Sequence, residues 1–437
     1  MYIDTIRIEN FRTFRMAEID LLHPQRTKRE LTEKFNLSPV LYPNINLILG
    51  NNGLGKSSFL MALALACLGP VVTEVRPNRF VRREPGASEM IKRDLKRVRG
   101  KVPDMPSTRS IIKGVFVPNR QDDVAKSVKR IDSRIRIDRR DAFEQSRYLD
   151  KVGKEWHPIY NEDSDALFFV GYGANRRSED KERFDPSTRR KSAVVRARRV
   201  MSLFDESYSL VPLAAWLPLV ESKDKTRYAQ VATLLRSIVG EGHWRFTGEM
   251  ESGEYLFQRG DQKVPYPALS DGYRAFYGWL GDLLHHVCDT ATPGKTMVQN
   301  QGMVMIDEID LHLHPSWQME VLPRLSKELP NIQFIVTSHS PLVVGSLQWV
   351  NLIVLEPADA QSTTLVRKEI PVHGLDADQV LVTPFFGLNT SRVGDKAARL
   401  KDLSSRASEG DRRAASQLLR EMSQGSEVAP AGPAPGE

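Results

Sequence analysis

The chain has 437 residues, which is enough for about two or three domains. Hydrophobic residues make up 41% of it, a share that can form a core and excludes a largely disordered protein. The two cysteines, Cys67 and Cys288, are far apart and lack the spacing of a zinc site or disulfide framework, which fits a reducing cytosol. No uninterrupted apolar run approaches the roughly 18 residues that cross a membrane, so we expect a cytoplasmic protein with no membrane partner.

Positive charge is concentrated in one part of the chain, whose net charge is +7. Between Arg76 and Arg140, 20 Lys and Arg residues stand against 8 Asp and Glu residues, so this segment alone carries +12. Together with the charged stretch from Arg176 to Arg199, it is expected to form a positive surface that contacts DNA or RNA. A solvated basic face or a site for an acidic protein partner is the alternative interpretation.

The N-terminal part begins with two predicted strands and a helix. Apolar residues alternate within Tyr2 to Arg15, and Asn44 to Leu49 ends in a continuous apolar run, which predicts two strands. A glycine-rich loop over 50–58 leads into a helix over 58–68, which Gly69 and Pro70 terminate. Further predicted elements are strands at 111–117, 133–137, 166–171, 303–306, 333–337 and 352–355 and helical segments within 176–200 and 202–240. Strands that alternate with helices predict an α/β fold with a mainly parallel sheet.

Residues 50–57 match the phosphate-binding loop pattern GxxxxGK[ST], placed between a strand and a helix. Backbone N–H groups of such a loop surround phosphates, and the following helix N-terminus adds a favourable dipole. Lys56 is expected to reach the β- and γ-phosphates, and the Ser57 hydroxyl to ligate Mg²⁺. The candidate nucleotide-binding residues of this loop are Asn51, Asn52, Gly53, Leu54, Gly55, Lys56, Ser57 and Ser58.

Two carboxylates follow the apolar run from Val304 to Ile306. A site with a phosphate-binding loop needs an acidic group at the end of a neighbouring strand to hold Mg²⁺ through water, and Asp307 fits this role. Glu308 is expected to polarise the attacking water as a catalytic residue. An acidic pair that merely faces solvent at a strand end is the alternative interpretation.

A serine–glycine pair and a histidine complete the motif set. Leu269, Ser270 and Gly272 form an LSxG pattern, which alone would predict only a helix N-cap. Such residues at a helix N-terminus also make a second phosphate-binding surface. His339 follows the strand predicted at 333–337 and is expected near the γ-phosphate as a second catalytic residue.

In this order, the four motifs resemble those of the ABC ATPase superfamily. The opening run Ile8-Glu9-Asn10-Phe11-Arg12 is similar to its SMC and RecF-like branch, and the run from Asp307 to Pro315 is similar to RecF- and OLD-like ATPases. The resemblance implies a P-loop NTPase head of the SMC/RecF-like type that binds ATP and Mg²⁺ and hydrolyses ATP. It also implies a homodimer in which Ser270 and Gly272 of one subunit close on the P-loop of the other, while Arg12 approaches the nucleotide.

We expect an inserted basic lobe to interrupt this head. The predicted regions are the P-loop part of the head at 1–70, a basic β-rich lobe at 71–165, a core strand with a helical insertion at 166–268, the second part of the head at 269–356, a helical C-terminal region at 357–421 and a disordered tail at 422–437. The tail is assigned as disordered because it consists mainly of Gly, Pro, Ala, Ser and Glu, which cannot bury a core.

The chain departs from the superfamily pattern at two places. Ile309 stands where a proline usually follows the acidic pair, a change that leaves the carboxylates intact. No clear glutamine loop is present: the run from Gly171 to Arg176 stands where it is expected, and Gln121 is a weak substitute. The residue that takes the place of the glutamine is therefore open.

Two other pairs suggest sites that we consider less favourable. His312 and His314 form an HxH pair, but the LHP run of the resembling ATPases accounts for it better than a metal site does. Asp376 and Asp378 form a DxD pair, which could indicate a nuclease. Only 98 residues follow His339, too few for a Toprim nuclease domain, so we expect a helix N-terminus there.

The runs Gly171-Tyr172-Gly173-Ala174-Asn175-Arg176-Arg177 and Pro371 to Leu388 resemble small RecF-like ATPases of bacterial anti-phage systems, notably those of Septu systems and retrons. This resemblance implies an ATPase that senses or acts on nucleic acid and controls a partner nuclease or other effector. A RecF/SMC-like ATPase of DNA repair or maintenance is the alternative. An ABC transporter subunit fits less well because the spacing from 269 to 308 is long, and the intact Lys56, Asp307 and Glu308 disfavour a non-hydrolysing scaffold.

Overall fold

The computed structural model describes residues 1–26, 39–75, 79–83, 108–118, 130–140, 143–149, 167–176, 195–290 and 295–386, with single residues at 30, 31, 33, 388, 406, 411, 413, 416 and 417. Gln121 and the predicted disordered tail lie outside these residues. The chain divides into a large unit, Met1–Asp376, and a C-terminal unit, Ala377–Glu437.

Strands and helices of the described residues alternate along much of the chain. The strands are β1 (Tyr2–Phe11), β2 (Phe14–Asp20), β3 (Ile45–Leu49), β4 (Arg109–Val117), β5 (Ile131–Arg140), β6 (Phe143–Tyr148), β7 (Phe169–Tyr172), β8 (Arg245–Glu251), β9 (Glu254–Arg259), β10 (Gln262–Pro265), β11 (Gly302–Ile306), β12 (Ile332–Thr337), β13 (Leu352–Asp359) and β14 (Ser362–Val366). The helices are α1 (Lys56–Leu68), α2 (Val195–Arg198), α3 (Leu213–Lys223), α4 (Lys225–Val239), α5 (Asp271–Thr290), α6 (Pro315–Glu328), α7 (Pro341–Gly345) and, in the C-terminal unit, α8 (Ala377–Leu381).

A parallel sheet lies at the centre of the large unit, and its described strands have the order β14-β13-β3-β12-β11-β7. The strands pair in parallel except β14, which runs antiparallel to β13. Every residue of β3, β11 and β12 is buried, as is typical of strands covered on both faces. The predicted α/β fold with a mainly parallel sheet is therefore confirmed.

A second sheet is antiparallel and has the order β2-β1-β4-β5-β6. Along β4, buried and partly exposed residues alternate, so one face of this sheet packs inward. Helix α1 contacts β1, β4 and β5 of this sheet and also β11 and β12 of the parallel sheet. Because it is covered from both sides, α1 is buried almost all round, which accounts for its nearly unbroken apolar sequence.

Helix α1 and the 3-10 turn after it, Lys56–Glu74, form the one stretch of the described residues that is long and apolar enough to cross a membrane. Length and composition alone are weak evidence for a membrane span, since core helices have the same properties. Here most of the stretch is buried between the two sheets.

The structure differs from the sequence prediction in the first sheet. The predicted single strand over Tyr2 to Arg15 is a hairpin, because the chain turns at Arg12 and Thr13 and pairs β1 with β2 up to Phe11↔Phe14. The described strands within 71–165 do not form a sheet of their own, since β4 pairs along the length of β1. Pairing between segments about a hundred residues apart leaves no local mark in the sequence.

Two further differences concern the second half of the chain. The helices predicted within 202–240 are present as α3 and α4, but the small sheet β10-β9-β8 that follows them was not predicted. The region 357–421, predicted as helical, begins instead with the end of β13 and with β14, which pairs with it. The predicted helix start at the DxD pair is confirmed by α8, which has Asp378 in its first turn.

A buried carboxylate ties helix α5 to the parallel sheet. Asp282 is 1% exposed and accepts hydrogen bonds from the Tyr172 hydroxyl at 2.9 Å and from the Val211 backbone N–H at 2.7 Å. His286 Nε2 lies 3.3 Å from the same carboxylate. A buried charge is stable only when such partners replace its water, so this cluster fixes the position of α5 relative to β7.

We predict that Asp282→Ala lowers the free energy of unfolding by about 2–4 kcal/mol, because it removes the acceptor of two buried donors. Urea denaturation followed by circular dichroism measures this change. Asp289→Ala on the same helix, at an exposed carboxylate 3.5 Å from His285, is the control and should cost about 0–1 kcal/mol. Equal stability of the two variants would contradict the structural role of Asp282.

Candidate nucleotide-binding site

The glycine-rich loop lies between β3 and α1, as the pattern predicts. Gly53 and Gly55 have φ values of 82° and 102°, in the left-handed region that favours glycine. A Cβ at Gly55 would also overlap the Thr13 hydroxyl, so no other residue fits there. Asn51 and Asn52 are exposed, together with Gly53, so the loop is accessible to a ligand.

Lys56 is a buried cation held on the carbonyl groups of this loop. It is 7% exposed, and its Nζ donates to the carbonyl of Gly50 at 2.8 Å and to that of Asn51 at 3.4 Å. Burial lowers the pKa of Lys56, while the charges of Asp307 and Glu308 act in the opposite direction. Among the described residues it forms no salt bridge within 4.0 Å, so its charge is available to a phosphate.

The predicted carboxylate pair, Asp307 and Glu308, follows β11. Thr337, at the end of the neighbouring strand β12, forms hydrogen bonds with both residues. Thr337 is fully buried, and its hydroxyl donates to Asp307 Oδ1 at 2.6 Å. The same hydroxyl accepts the backbone N–H of Glu308 at 2.7 Å. Glu308 has a φ of 49°, an uncommon conformation for a residue with a side chain. No sequence motif marks Thr337, although it stands two residues before His339.

Arg12 lies beside the start of α1. Its Nη1 is 3.4 Å from Ser58 Oγ, and its guanidinium stands 5.3 Å from the centre of the Phe80 ring, in cation–π geometry. Burial lowers the pKa of Arg12, opposed by the charge of Glu144. The structure therefore brings Arg12 to the P-loop helix, and its contact with nucleotide stays a prediction.

His339 is exposed at the carboxyl end of β12. The pKa of His339 is lowered, mainly by burial and secondly by the positive charge of Lys56. The charges of Asp310 and Glu308 oppose this shift. These interactions place the imidazole in the electrostatic field of the P-loop lysine and the carboxylates. A lowered pKa keeps the imidazole neutral near pH 7.

The serine–glycine pair stands at the start of α5, where Ser270 is exposed. A Cβ at Gly272 would overlap the carbonyl oxygen of His312, so this glycine allows α5 to approach the loop after the carboxylate pair. His314 caps α6, because its Nδ1 accepts the backbone N–H of Ser316 at 3.4 Å. The described residues contain no cluster of three or more His, Cys, Asp or Glu side chains suited to a metal ion.

Arg176 is a second buried cation at the site. It follows β7, is 8% exposed, and its Nη2 donates to the backbone carbonyl of Glu308 at 2.6 Å. Burial lowers the pKa of Arg176 to about 10, while Asp307, Asp310 and Glu308 oppose this shift. Arg176 belongs to the run at the expected position of the glutamine loop, but the motif alone predicts no role for its side chain.

Fold and site together define a P-loop NTPase of the ABC ATPase head type: the P-loop and the acidic pair follow strands of one parallel sheet, and the LSxG pattern stands at the start of α5. Residues 45–345 match the family described as "AAA domain, putative AbiEii toxin, Type IV TA system". The chain belongs to this family. Members of a P-loop family bind nucleotides, and the accessible loop and the buried Lys56 of this chain fit that property.

Several proteins of bacterial defence systems are similar to this chain. The Septu protein PtuA of Bacillus mycoides (strain KBAB4) is 24% identical over 392 residues, which cover 89% of this chain and 45% of that protein. The Retron Ec83 probable ATPase of Escherichia coli is 41% identical over 88 residues, or 20% of this chain and 16% of that protein. This chain thus spans less than half the length of these relatives. The predicted resemblance to Septu and retron ATPases is confirmed.

Solved structures of SMC heads are also similar. The SMC head domain from Thermotoga maritima is 12% identical with a TM-score of 0.43, and the match covers 85% of this chain and all of that one. An SmcHead bound to the C-winged helix domain of ScpA has 14% identity and a TM-score of 0.45, over 84% and 98% of the two chains.

We predict that Lys56→Ala weakens nucleotide binding at least about 30-fold, because the buried cation that faces the phosphates is lost. Fluorescence titration with a labelled adenine nucleotide measures the Kd. Lys223→Ala, at an exposed lysine of α3, is the control and should leave the Kd unchanged. Tight binding by the Lys56 variant would mean that the loop is not the nucleotide site.

Proposed function

We propose that this protein is an ATPase that binds ATP with Mg²⁺, hydrolyses it, and dimerises around the nucleotide. The observation that carries the proposal is the juxtaposition of Lys56 with the carboxylates that follow β11. Parallel pairing puts the ends of β3, β12 and β11 at one edge of the sheet. Lys56, which would bind the phosphates, and the carboxylates Asp307 and Glu308, which would serve the metal and the water, are therefore positioned by the same sheet.

Each side chain has a role that its contacts support. The P-loop backbone and Lys56 would hold the phosphates, and Mg²⁺ would be held by the Ser57 hydroxyl and, through water, by Asp307. The metal would neutralise charge that develops on the phosphates. Glu308 would polarise the attacking water with its carboxylate. Thr337 supports this role, since it fixes the backbone of Glu308 next to Asp307. His339, kept neutral by its lowered pKa, donates a hydrogen bond toward the γ-phosphate.

Two exposed surfaces support a dimer that shares its sites. The P-loop residues 51–53 and Ser270 at the start of α5 are both accessible in one chain. In the proposed dimer, Ser270 and Gly272 of each chain close on the P-loop of the other, where the N-terminus of α5 attracts the phosphates. Arg12, beside Ser58, approaches the nucleotide from the same chain.

The biological setting that we propose is bacterial anti-phage defence in the cytoplasm. The names of the Septu and retron relatives support this assignment. In this setting, the ATPase would control a partner nuclease or other effector. The match covers less than half of the Septu and retron relatives, so their names support only the setting and not a particular effector. A RecF/SMC-like role in DNA repair or maintenance is the alternative, which the presence of an effector gene beside the ATPase gene would distinguish.

The proposed nucleic-acid contact lies on the solvent face of the second sheet. Register places Arg134 beside Lys113 and Arg136 beside Arg147 on this face. Part of the charge is neutralised, since Asp138 lies 3.2 Å from Arg109 and 2.9 Å from Arg136. Arg134 and Arg147 are exposed, so they are the residues of this face that are best placed to meet phosphates.

We predict that Glu308→Gln binds ATP with near-normal affinity but hydrolyses it at least about 100-fold more slowly, because the base that polarises water is lost. It should accumulate as an ATP-bound dimer, which light scattering with and without ATP detects. Glu369→Gln, the same change at an exposed position, should behave as the unmodified chain. If the Glu308 variant turns over ATP normally, the assigned base is wrong, and if its mass is independent of ATP, the dimer is wrong.

We predict that the double variant Arg134→Glu/Arg147→Glu binds DNA or RNA at least about 10-fold more weakly, because two phosphate contacts become repulsive. Fluorescence anisotropy with labelled duplexes and single strands over a salt series measures the effect. Lys223→Glu/Lys225→Glu, two exposed lysines of α3 and α4, makes the same charge change elsewhere. An equal loss in both variants, or unchanged affinity in the first, would exclude this face as the specific contact.

A further inference from the structure

The backbone of Glu308 is held on both sides of its unusual conformation. On one side the Thr337 hydroxyl accepts its N–H at 2.7 Å. On the other side Arg176 Nη2 donates to its carbonyl at 2.6 Å. A residue with a side chain and a φ of 49° carries a conformational cost, and it persists only where its surroundings fix it. Thr337 and Arg176 are the side chains that do so here.

Arg176 is delivered to this carbonyl by a segment that is itself fixed. The pairing of β7 with β11 places Tyr172 beside Ile306, and the Tyr172 carbonyl accepts the N–H of Asp307 at 2.8 Å. Beyond the strand, the N–H of Gly173 donates to Ser202 Oγ at 3.2 Å. A Cβ at Gly173 would overlap the carbonyl oxygen of Ser202, so this close approach requires glycine.

The placement of Arg176 is costly unless its charge is used. Its side chain is more than nine-tenths buried, and Nη1 has no hydrogen-bond partner among the described residues. Removing a guanidinium from water costs several kcal/mol unless charged or polar groups compensate it. The nearest compensation is the field of the three carboxylates Asp307, Glu308 and Asp310. A residue needed only to satisfy one carbonyl would not have to be charged, and water could serve.

We propose that Arg176 is a positioning residue for ATP hydrolysis, which acts through Glu308 by pinning its backbone carbonyl so that the carboxylate is aimed at the attacking water. The inference rests on the proposed ATPase function and adds a residue to it. The planar guanidinium holds the carbonyl through one nitrogen, Nη2, at 2.6 Å. Thr337 fixes the same residue from the opposite side.

The proposal separates binding from turnover. Arg176→Met keeps the length of the side chain but removes the charge and the donor, so ATP should bind within about threefold of the normal Kd while kcat falls at least about 30-fold. Arg176→Lys keeps a charge and a donor, so its kcat should be about tenfold higher than that of Arg176→Met. Arg324→Met, at a half-buried arginine that pairs with Glu320, is the control and should retain normal kcat.

A double-mutant cycle tests whether Arg176 acts through Glu308. In a Glu308→Gln background, adding Arg176→Met should slow single-turnover hydrolysis by less than about twofold, because the aimed carboxylate is already absent. Thermal unfolding of each variant shows whether it is folded, and if the methionine variant is not, Arg176→Gln and Arg176→Lys provide the same comparison. The expected pattern is a loss of kcat with normal Kd and no further loss in the double variant.

The outcomes that overturn the inference differ from those that overturn the ATPase assignment. Turnover of Arg176→Met at the normal rate would exclude the positioning role, and so would fully additive losses in the cycle, which would indicate a contact independent of Glu308. A parallel loss of ATP affinity and kcat that lysine does not restore would indicate a purely structural arginine. Absence of hydrolysis by the unmodified chain, with ATP still bound, would instead exclude the proposed function itself.

Discussion

Parallel hydrogen bonding of β3, β12, β11 and β7 brings the carboxyl ends of four strands to one edge of the sheet. The P-loop, the histidine segment, the carboxylate pair and the arginine segment each begin there. Because neighbouring strands are about 4.8 Å apart, side chains from adjacent ends meet without any long loop to fold over them. The contacts of Thr337 and Arg176 with the carboxylate segment depend on the pairing of these strands, all of whose residues in β3, β11 and β12 are buried.

The second constraint is the balance of buried charge. Lys56 and Arg176 are both nearly excluded from solvent, and burial lowers the pKa of each. The carboxylates nearby compensate only in part, because neither cation forms an ion pair within 4.0 Å among the described residues. In the proposed ATPase, a nucleotide with Mg²⁺ would supply charge of both signs to these groups.

The parts of the site that were predictable are those encoded by contiguous residues. The P-loop, Asp307 and Glu308 follow buried strands at fixed spacing, so local pattern identifies them. Thr337 and Arg176 contact the carboxylate segment only because β12 and β7 flank β11, and strand order is a non-local property that one sequence does not display. The same reason explains the missed pairing of β1 with β4, whose partners are separated by about a hundred residues.

Helix α5, which begins within the LSxG pattern of Leu269 to Gly272, is connected to this edge at two points. At its first turn, Gly272 packs against the carbonyl of His312, in the loop that continues from the carboxylate pair. Three turns later, Asp282 accepts a hydrogen bond from the hydroxyl of Tyr172, whose backbone carbonyl binds Asp307 and whose strand leads to Arg176. In the proposed dimer, a contact made at exposed Ser270 would act on a helix that is attached to both segments. Displacement of α5 must therefore either carry β7 and the carboxylate loop with it or break the buried bond between Asp282 and Tyr172, whose charged acceptor makes that break costly.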